Sequence, residues 1–174
     1  MPRDLAKETI PTLRSPEPTD GSEIWELVRE CKPLDENSMY CNLIQCDHFA
    51  DTCVLAEIEG QPVGWVSAYV MPSDPETLFV WQVAVSETAR GMGLGSLMLK
   101  EALEREACEG VTRIQTTITS DNDASWALFR KFTDEFGTKL DAQAYYEKDE
   151  HFNGQSKTEN LVTITLAEEF AKAA

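Results

Sequence analysis

Two hydrophobic periods divide this chain. Thr12–Arg14 reads as a short strand, and Ser15–Asp20, with two prolines, as a turn. Ile24, Trp25, Leu27, Val28 and Cys31 then recur at helical spacing. They predict a helix over Gly21–Cys31, with Thr19 or Asp20 as N-cap, Trp25 in the core and Pro33 ending the helix. Residues 34–51 form a second, less regular segment. Cys53–Glu57 and Val63–Val70 read as a hairpin turned at Glu59–Pro62, 71–76 as a loop with two prolines, and Leu78–Val85 as a buried strand. The pattern continues with a helix over Ser96–Ala107, a strand over Thr112–Thr119 and a helix over Asn122–Phe132 carrying Trp126, Phe129 and Phe132 at helical spacing. Lys139–Glu147 and Leu161–Leu166 close the chain as two strands joined by a polar loop with Gly154. Residues 1–9 read as a loose N-terminus and 167–174 as a tail. The order predicts one α/β (α+β) domain over 10–166, a mixed sheet flanked by helices.

The strongest local signal for chemistry lies in the middle. The strand Leu78–Val85 runs into Arg90-Gly-Met-Gly-Leu-Gly95, and a helix follows at once. A strand, a glycine-rich turn and a helix start present a row of backbone N–H groups to a phosphate, and the helix dipole adds to the attraction. The spacing narrows the ligand. No Lys-Ser or Lys-Thr follows the glycines, so this is no nucleoside triphosphate loop. Gly91, Gly93 and Gly95 lack the last glycine spacing of a dinucleotide fold. A glycine-rich helix entry without any ligand is the alternative.

Composition removes other partners. The 174 residues carry 31 Asp and Glu against 15 Lys and Arg, a formal net charge of −16. A nucleic-acid binder or a protein of anionic membranes needs the opposite balance, and acidity favours a cationic ligand. It also suits a salt-loaded cytoplasm that screens self-repulsion, or it is a plain acidic surface. Five cysteines without a Cys-x-x-Cys pair read as reduced thiols. No partners at zinc spacing accompany Cys46-Asp-His48, so no metal is expected. Neither end reads as a signal peptide and no apolar run spans a bilayer, which predicts a cytoplasmic location.

Arg90-x-x-Gly93-x-Gly95 resembles the acetyl-CoA pyrophosphate loop of the GCN5-related N-acetyltransferase (GNAT) family. The resemblance implies a mixed sheet with splayed strands binding acetyl-CoA. Cofactor contacts are then expected from the backbone of Val83, Ala84 and Val85, from Arg90, Gly91, Met92, Gly93, Gly95 and Ser96, and from Asn122 beside the pantetheine arm. Asn122 equally reads as a helix cap. One departure stands out. Ser125 and Leu128-Phe129 stand where the family has alanine and Leu-Tyr, so Phe129 cannot protonate the departing thiolate. Tyr145, Tyr146, water or backbone are left for that role.

Five further stretches, LDENSMYCNLIQCDHFADTC, WQVAV, ARGMGLG, TTITSDNDASWALF and HFNG, resemble the diaminobutyrate acetyltransferases of ectoine biosynthesis over roughly residues 10–166. That resemblance implies acetyl transfer to the γ-amino group of L-2,4-diaminobutyrate, in a homodimer. The sequence departs from the family at Gln155-Ser-Lys-Thr-Glu159. Diaminobutyrate carries two ammonium groups and one carboxylate. Asp35 is the first candidate for an ammonium and Glu159 the second. Trp81 is a candidate to pack on the short side chain or face a cation, with a core position as the alternative. Asn37, Ser38 and Tyr40 are candidates for the α-carboxylate or α-amine, against plain helix capping. His151 is a candidate proton acceptor or closing group, against a surface histidine. An acetyltransferase for another small amine and a non-catalytic CoA sensor are the competing readings.

Overall fold

The computed structural model describes residues 10–170. Residues 1–9 and 171–174, which include all of the expected loose N-terminus and half of the expected tail, lie outside the described residues. The strands are β1 (Thr12–Arg14), β2 (Val54–Ile58), β3 (Gln61–Met71), β4 (Asp74–Val85), β5 (Arg113–Thr119), β6 (Gly137–Tyr146) and β7 (Glu159–Leu166). The helices are α1 (Gly21–Glu30), α2 (Met39–His48), α3 (Leu94–Glu104) and α4 (Asp123–Phe136). One seven-stranded sheet has the order β1-β2-β3-β4-β5-β7-β6. Among its pairs β4–β5 is parallel and the rest are antiparallel. The α3 crossover between β4 and β5 is what a parallel pair requires.

Helices cover both faces of the sheet, so the central strands bury both rows of side chains. Val54, Ala56, Val66, Ala68, Leu78 and Val80 face one core, closed by Met98, Leu99 and Ala102 of α3 and Phe129 and Phe132 of α4. Leu55, Trp65 and Ala84 face the second core under Ile24, Leu27 and Val28 of α1. The register of β3 against β4 shifts between Ser67 and Ala68, so Trp81 is an extra residue in β4. The bulge reverses the alternation. Leu78 and Val80 face the first core before it, whereas Val83 and Val85 pack there after it.

Several elements differ from the sequence pattern. The expected loop at 71–76 is a hairpin end, with Met71 paired to Asp74 across Pro72-Ser73. A second register shift between Val70 and Met71 takes up Pro75, where a missing donor does no harm. The irregular 34–51 segment holds the ten-residue helix α2. Its buried positions include Asn42 and Gln45, which bond each other at 3.0 Å, and these polar residues hide the apolar stripe. Neither Thr19 nor Asp20 caps α1 through its side chain, because a 3-10 turn, Pro18–Asp20, leads straight into the helix. Trp25 is only partly buried. Its Nε1 donates to Asn37 O at 2.9 Å, tying α1 to the loop before α2. α3 starts at Leu94 and stops at Glu104. Arg105 turns away to donate to Ala50 O and Cys53 O. At the C-terminal end Phe170 packs on Phe136 with ring centroids 5.0 Å apart.

Asp20 instead accepts two hydrogen bonds from Arg14, each 2.8 Å, and Arg14 also reaches Glu57 at 2.7 Å. Arg14 thereby joins β1, β2 and the entry to α1. Its hydrogen bonds hold the Asp20 carboxyl below its ordinary 3.8, so this contribution is present above that pH and is lost as pH falls through the lower folded value. Asp20→Asn is expected to cost about 1 kcal/mol at pH 7 in urea unfolding, a figure reduced for the part-exposed setting. The difference from wild type should close only below about pH 4.

Candidate active site

β4 and β5 pair only over Thr77–Phe79 and Arg113–Gln115. Beyond that point the Thr116 hydroxyl donates to Val80 O at 2.9 Å, and the two strands part. Two cavities fill the space they leave. One, of ≈ 440 Å³, lies against the glycine loop. The other, of ≈ 550 Å³, lies between the ends of the two strands. They share Pro33, Leu34, Val83, Asn122 and Ser125 in their walls, and so form one bent cleft.

The first cavity is built for an anion. Gly91 and Gly93 hold φ of +80° and +70°, which glycine adopts without strain. Gly93 is the N-cap of α3, whose ladder opens with Leu97 N–H donating to Gly93 O at 3.1 Å. The N–H groups of the first turn therefore have no partner within the helix. The buried Ser96 Oγ has no partner either. Lys32, Arg90 and Lys131 line this cavity, and a Cβ on Gly93 would lie 3.5 Å from Lys131 Nζ. Gly95 does a different job. It lines the cavity, but a Cβ there would sit 2.7 Å from Leu128 Cδ1, so its small size lets α3 meet α4.

The second cavity brings Asp35, Asn37, Trp81 and Glu159 together from three separate segments. Gln82 holds the 33–37 strap in place. Its Nε2 donates to Asp35 O at 2.9 Å and its Oε1 accepts from Asn37 Nδ2 at 3.1 Å. Trp81 is 45% exposed and meets Tyr69 edge-on at 6.2 Å. Glu159 Oε2 is buried without a hydrogen-bond partner. Burial first, and the facing Asp35 carboxylate second, raise the Glu159 carboxyl above its ordinary 4.5, against a weaker pull from the Thr117 hydroxyl.

Other expected residues sit elsewhere. Ser38 Oγ accepts from Cys41 N–H at 3.1 Å and caps α2, while Tyr40 is 72% exposed, and neither lines a cavity. His151 lies in the β6–β7 hairpin with Nδ1 accepting Glu147 N–H at 2.9 Å, outside both walls. Met92 is exposed and the Ala84 side chain faces the second core, and neither residue lines either cavity. Asn122 caps α4 through Ser125 N–H and lines both cavities, so the two readings of it coexist. The sequence pattern did not single out Gln82, Thr117, Lys131 or Lys157. All four line the cleft, Gln82 and Thr117 from the splayed strands, Lys131 from α4 and Lys157 from the chain before β7.

A family model, the Acetyltransferase (GNAT) family, matches residues 21–133. The chain belongs to the GNAT acetyltransferase family. It is 47% identical over 155 residues to an L-2,4-diaminobutyric acid acetyltransferase of Methylotuvimicrobium alcaliphilum, covering 89% of this chain and 90% of that one. A Vibrio parahaemolyticus protein of the same name is 46% identical over 163 residues, covering 94% of this chain and 89% of that one. Among solved structures, the diaminobutyrate acetyltransferase EctA of Paenibacillus lautus, in complex with L-2,4-diaminobutyric acid and coenzyme A, is similar with a TM-score of 0.84 and 39% identity. That match covers 90% of this chain and 95% of that one.

For a GNAT acetyltransferase the first cavity fits the phosphates of acetyl-CoA. Free N–H groups, an orphaned hydroxyl and three cations all face it. Phe129 lies in the wall of the second cavity and brings no hydroxyl there. Tyr145 and Tyr146 sit exposed on β6 with rings 4.5 Å apart, and neither lines either cavity.

The glycines separate packing from ligand binding. Gly95→Ala should destabilise the fold by about 1–3 kcal/mol through its clash with Leu128, read as a lower Tm. Gly93→Val should yield a folded protein without acetyl-CoA affinity in calorimetric titration. Normal affinity in that variant overturns the loop assignment.

Proposed function

We propose that the protein transfers the acetyl group of acetyl-CoA to the γ-amino group of L-2,4-diaminobutyrate. The observation that carries this reading is a pair of carboxylates, Asp35 and Glu159, in the wall of a cavity continuous with the glycine-loop cavity. A buried carboxylate oxygen without a donor costs free energy until a donor arrives. A substrate with two ammonium groups supplies one to each carboxylate. The bound L-2,4-diaminobutyric acid and coenzyme A of the Paenibacillus lautus relative support the reading.

Acetyl-CoA supplies the acetyl group as an activated thioester. The glycine loop and the start of α3 hold its phosphates, and the edge of β4 that β5 no longer pairs beyond Phe79 offers main-chain N–H groups to a developing oxyanion. Asp35 and Glu159 hold the diamine. Attack needs the neutral amine, and an unperturbed amine of this type has a pKa near about 10. Glu159, with its raised proton affinity, takes that proton. Trp81 packs on the short aliphatic chain.

The product is the precursor of ectoine, made in the cytoplasm by a homodimer. The net charge of −16 fits a compartment rich in compatible solute and salt, and the resemblance to relatives supports the pathway. The edge strand β6 carries Tyr145 and Tyr146 exposed, a surface suited to a second copy. Light scattering should give twice the 19.5 kDa chain mass.

Thiol release across L-2,4-diaminobutyrate, diaminopropionate, ornithine and lysine, with mass spectrometry of the product, tests the substrate. Diaminobutyrate should lead lysine by about a hundredfold or more in kcat/KM, because a displaced nitrogen misses the attack position. Equal use of lysine overturns the assignment.

Glu159 also makes the activity pH-dependent. It must be ionised to work and its carboxyl titrates above 4.5, so kcat/KM should fall as pH drops through that raised value. Glu159→Gln should lower kcat/KM by about a hundredfold and remove this acid limb.

A further inference from the structure

The diaminobutyrate reading accounts for two carboxylates of the substrate cavity and leaves the cationic side chain of its wall unused. Lys157 is the one cation among the residues lining this cavity, where Asp35, Asp121 and Glu159 are the acids. It stands two residues before Glu159, on the chain that enters β7. Its Nζ is paired with Asp121 Oδ2, across the end of β5. Glu159 is itself in register with Thr119, two residues before Asp121, so both Lys157 and Glu159 sit at the same end of the cavity.

We propose that Lys157 binds the α-carboxylate of the amino-acid substrate and so selects an amino acid over a plain diamine. The inference rests on the diaminobutyrate reading above. Diaminobutyrate presents two cations and one anion, and the wall presents complementary charges. Asp35 and Glu159 face the ammonium groups, and Lys157 is left for the carboxylate. Its pairing with Asp121 does not block this. The two side chains are 71% and 59% exposed, and an ion pair in that setting is held by little free energy. An ammonium has three donors, so Lys157 can keep Asp121 and still reach a substrate oxygen. Asp121 then acts as a positioning residue that keeps a long, flexible side chain at the rim. Without such a cation the substrate carboxylate would enter a wall of acids and be repelled.

A matched pair of substrates isolates the contact. 1,3-Diaminopropane carries the same two amines at the same separation and lacks the carboxylate. Wild type should favour L-2,4-diaminobutyrate over it in kcat/KM. Lys157→Met should lower kcat/KM for diaminobutyrate by about tenfold or more, mainly through KM, as expected for losing a charge-assisted hydrogen bond. The same variant should change the value for 1,3-diaminopropane by less than about twofold, because that amine never makes the contact. Lys157→Arg should keep most of the preference. Calorimetric titration of diaminobutyrate should show the same weakening in Lys157→Met as KM does. Equal losses on both amines, or an unchanged diaminobutyrate KM, overturn the assignment while leaving the acetyl-transfer reading in place. A wild type that acetylates neither amine overturns both.

Discussion

Two parallel strands that share three register pairs and then diverge leave main-chain N–H and C=O groups facing each other across a gap. Such groups are costly to bury without partners. The fold resolves this in two ways. The Thr116 hydroxyl takes up the first orphaned carbonyl, that of Val80. Beyond it the backbone is left open to the cleft, where an extended ligand can pair with it. The loop, the start of α3 and the cap of α4 converge on the same opening because β4 ends at the loop, and the loop of β5 ends at Asn122. The position of the cleft therefore follows from where one ladder stops.

The second half of the cleft depends on a strap that belongs to neither strand. Residues 33–37 cross the mouth, held by Gln82 from β4 and by Trp25 from α1. Cys31 stands two residues before the strap and its Sγ donates to Val85 O at 3.4 Å. Each bond is a modest contribution, but together they set Asp35 opposite Glu159, a residue 124 positions later in the chain. The pairing is visible in the chemistry, since the Asp35 carboxylate is among the causes that raise Glu159.

Much of this was legible beforehand. The order of strands and helices follows from hydrophobic period alone, because central strands and amphipathic helices carry strong patterns. The glycine loop was legible because Gly91 and Gly93 stand where positive φ is needed. Its third glycine has a packing task besides, which the spacing did not show. Gly95 answers to Leu128 on another helix, and no local spacing reports a contact between α3 and α4. α2 was blurred because Asn42 and Gln45 occupy its buried face, where they share one hydrogen bond.

By itself the sequence determined the class of fold, the position of the glycine-rich loop and the acidic character of the chain. These rest on periodicity, backbone freedom and net charge, which are properties of short segments or of the whole composition. Only the tertiary structure decided which polar residues share a cavity. Asp35 and Glu159 came together, whereas Ser38, Tyr40 and His151 were placed on the rim or the surface. Lys157 entered the same wall beside Glu159. The physical reason is that a site charge acts over a few ångströms, and those distances are set by strand register and by a splay between β4 and β5 that involves residues far apart in the chain.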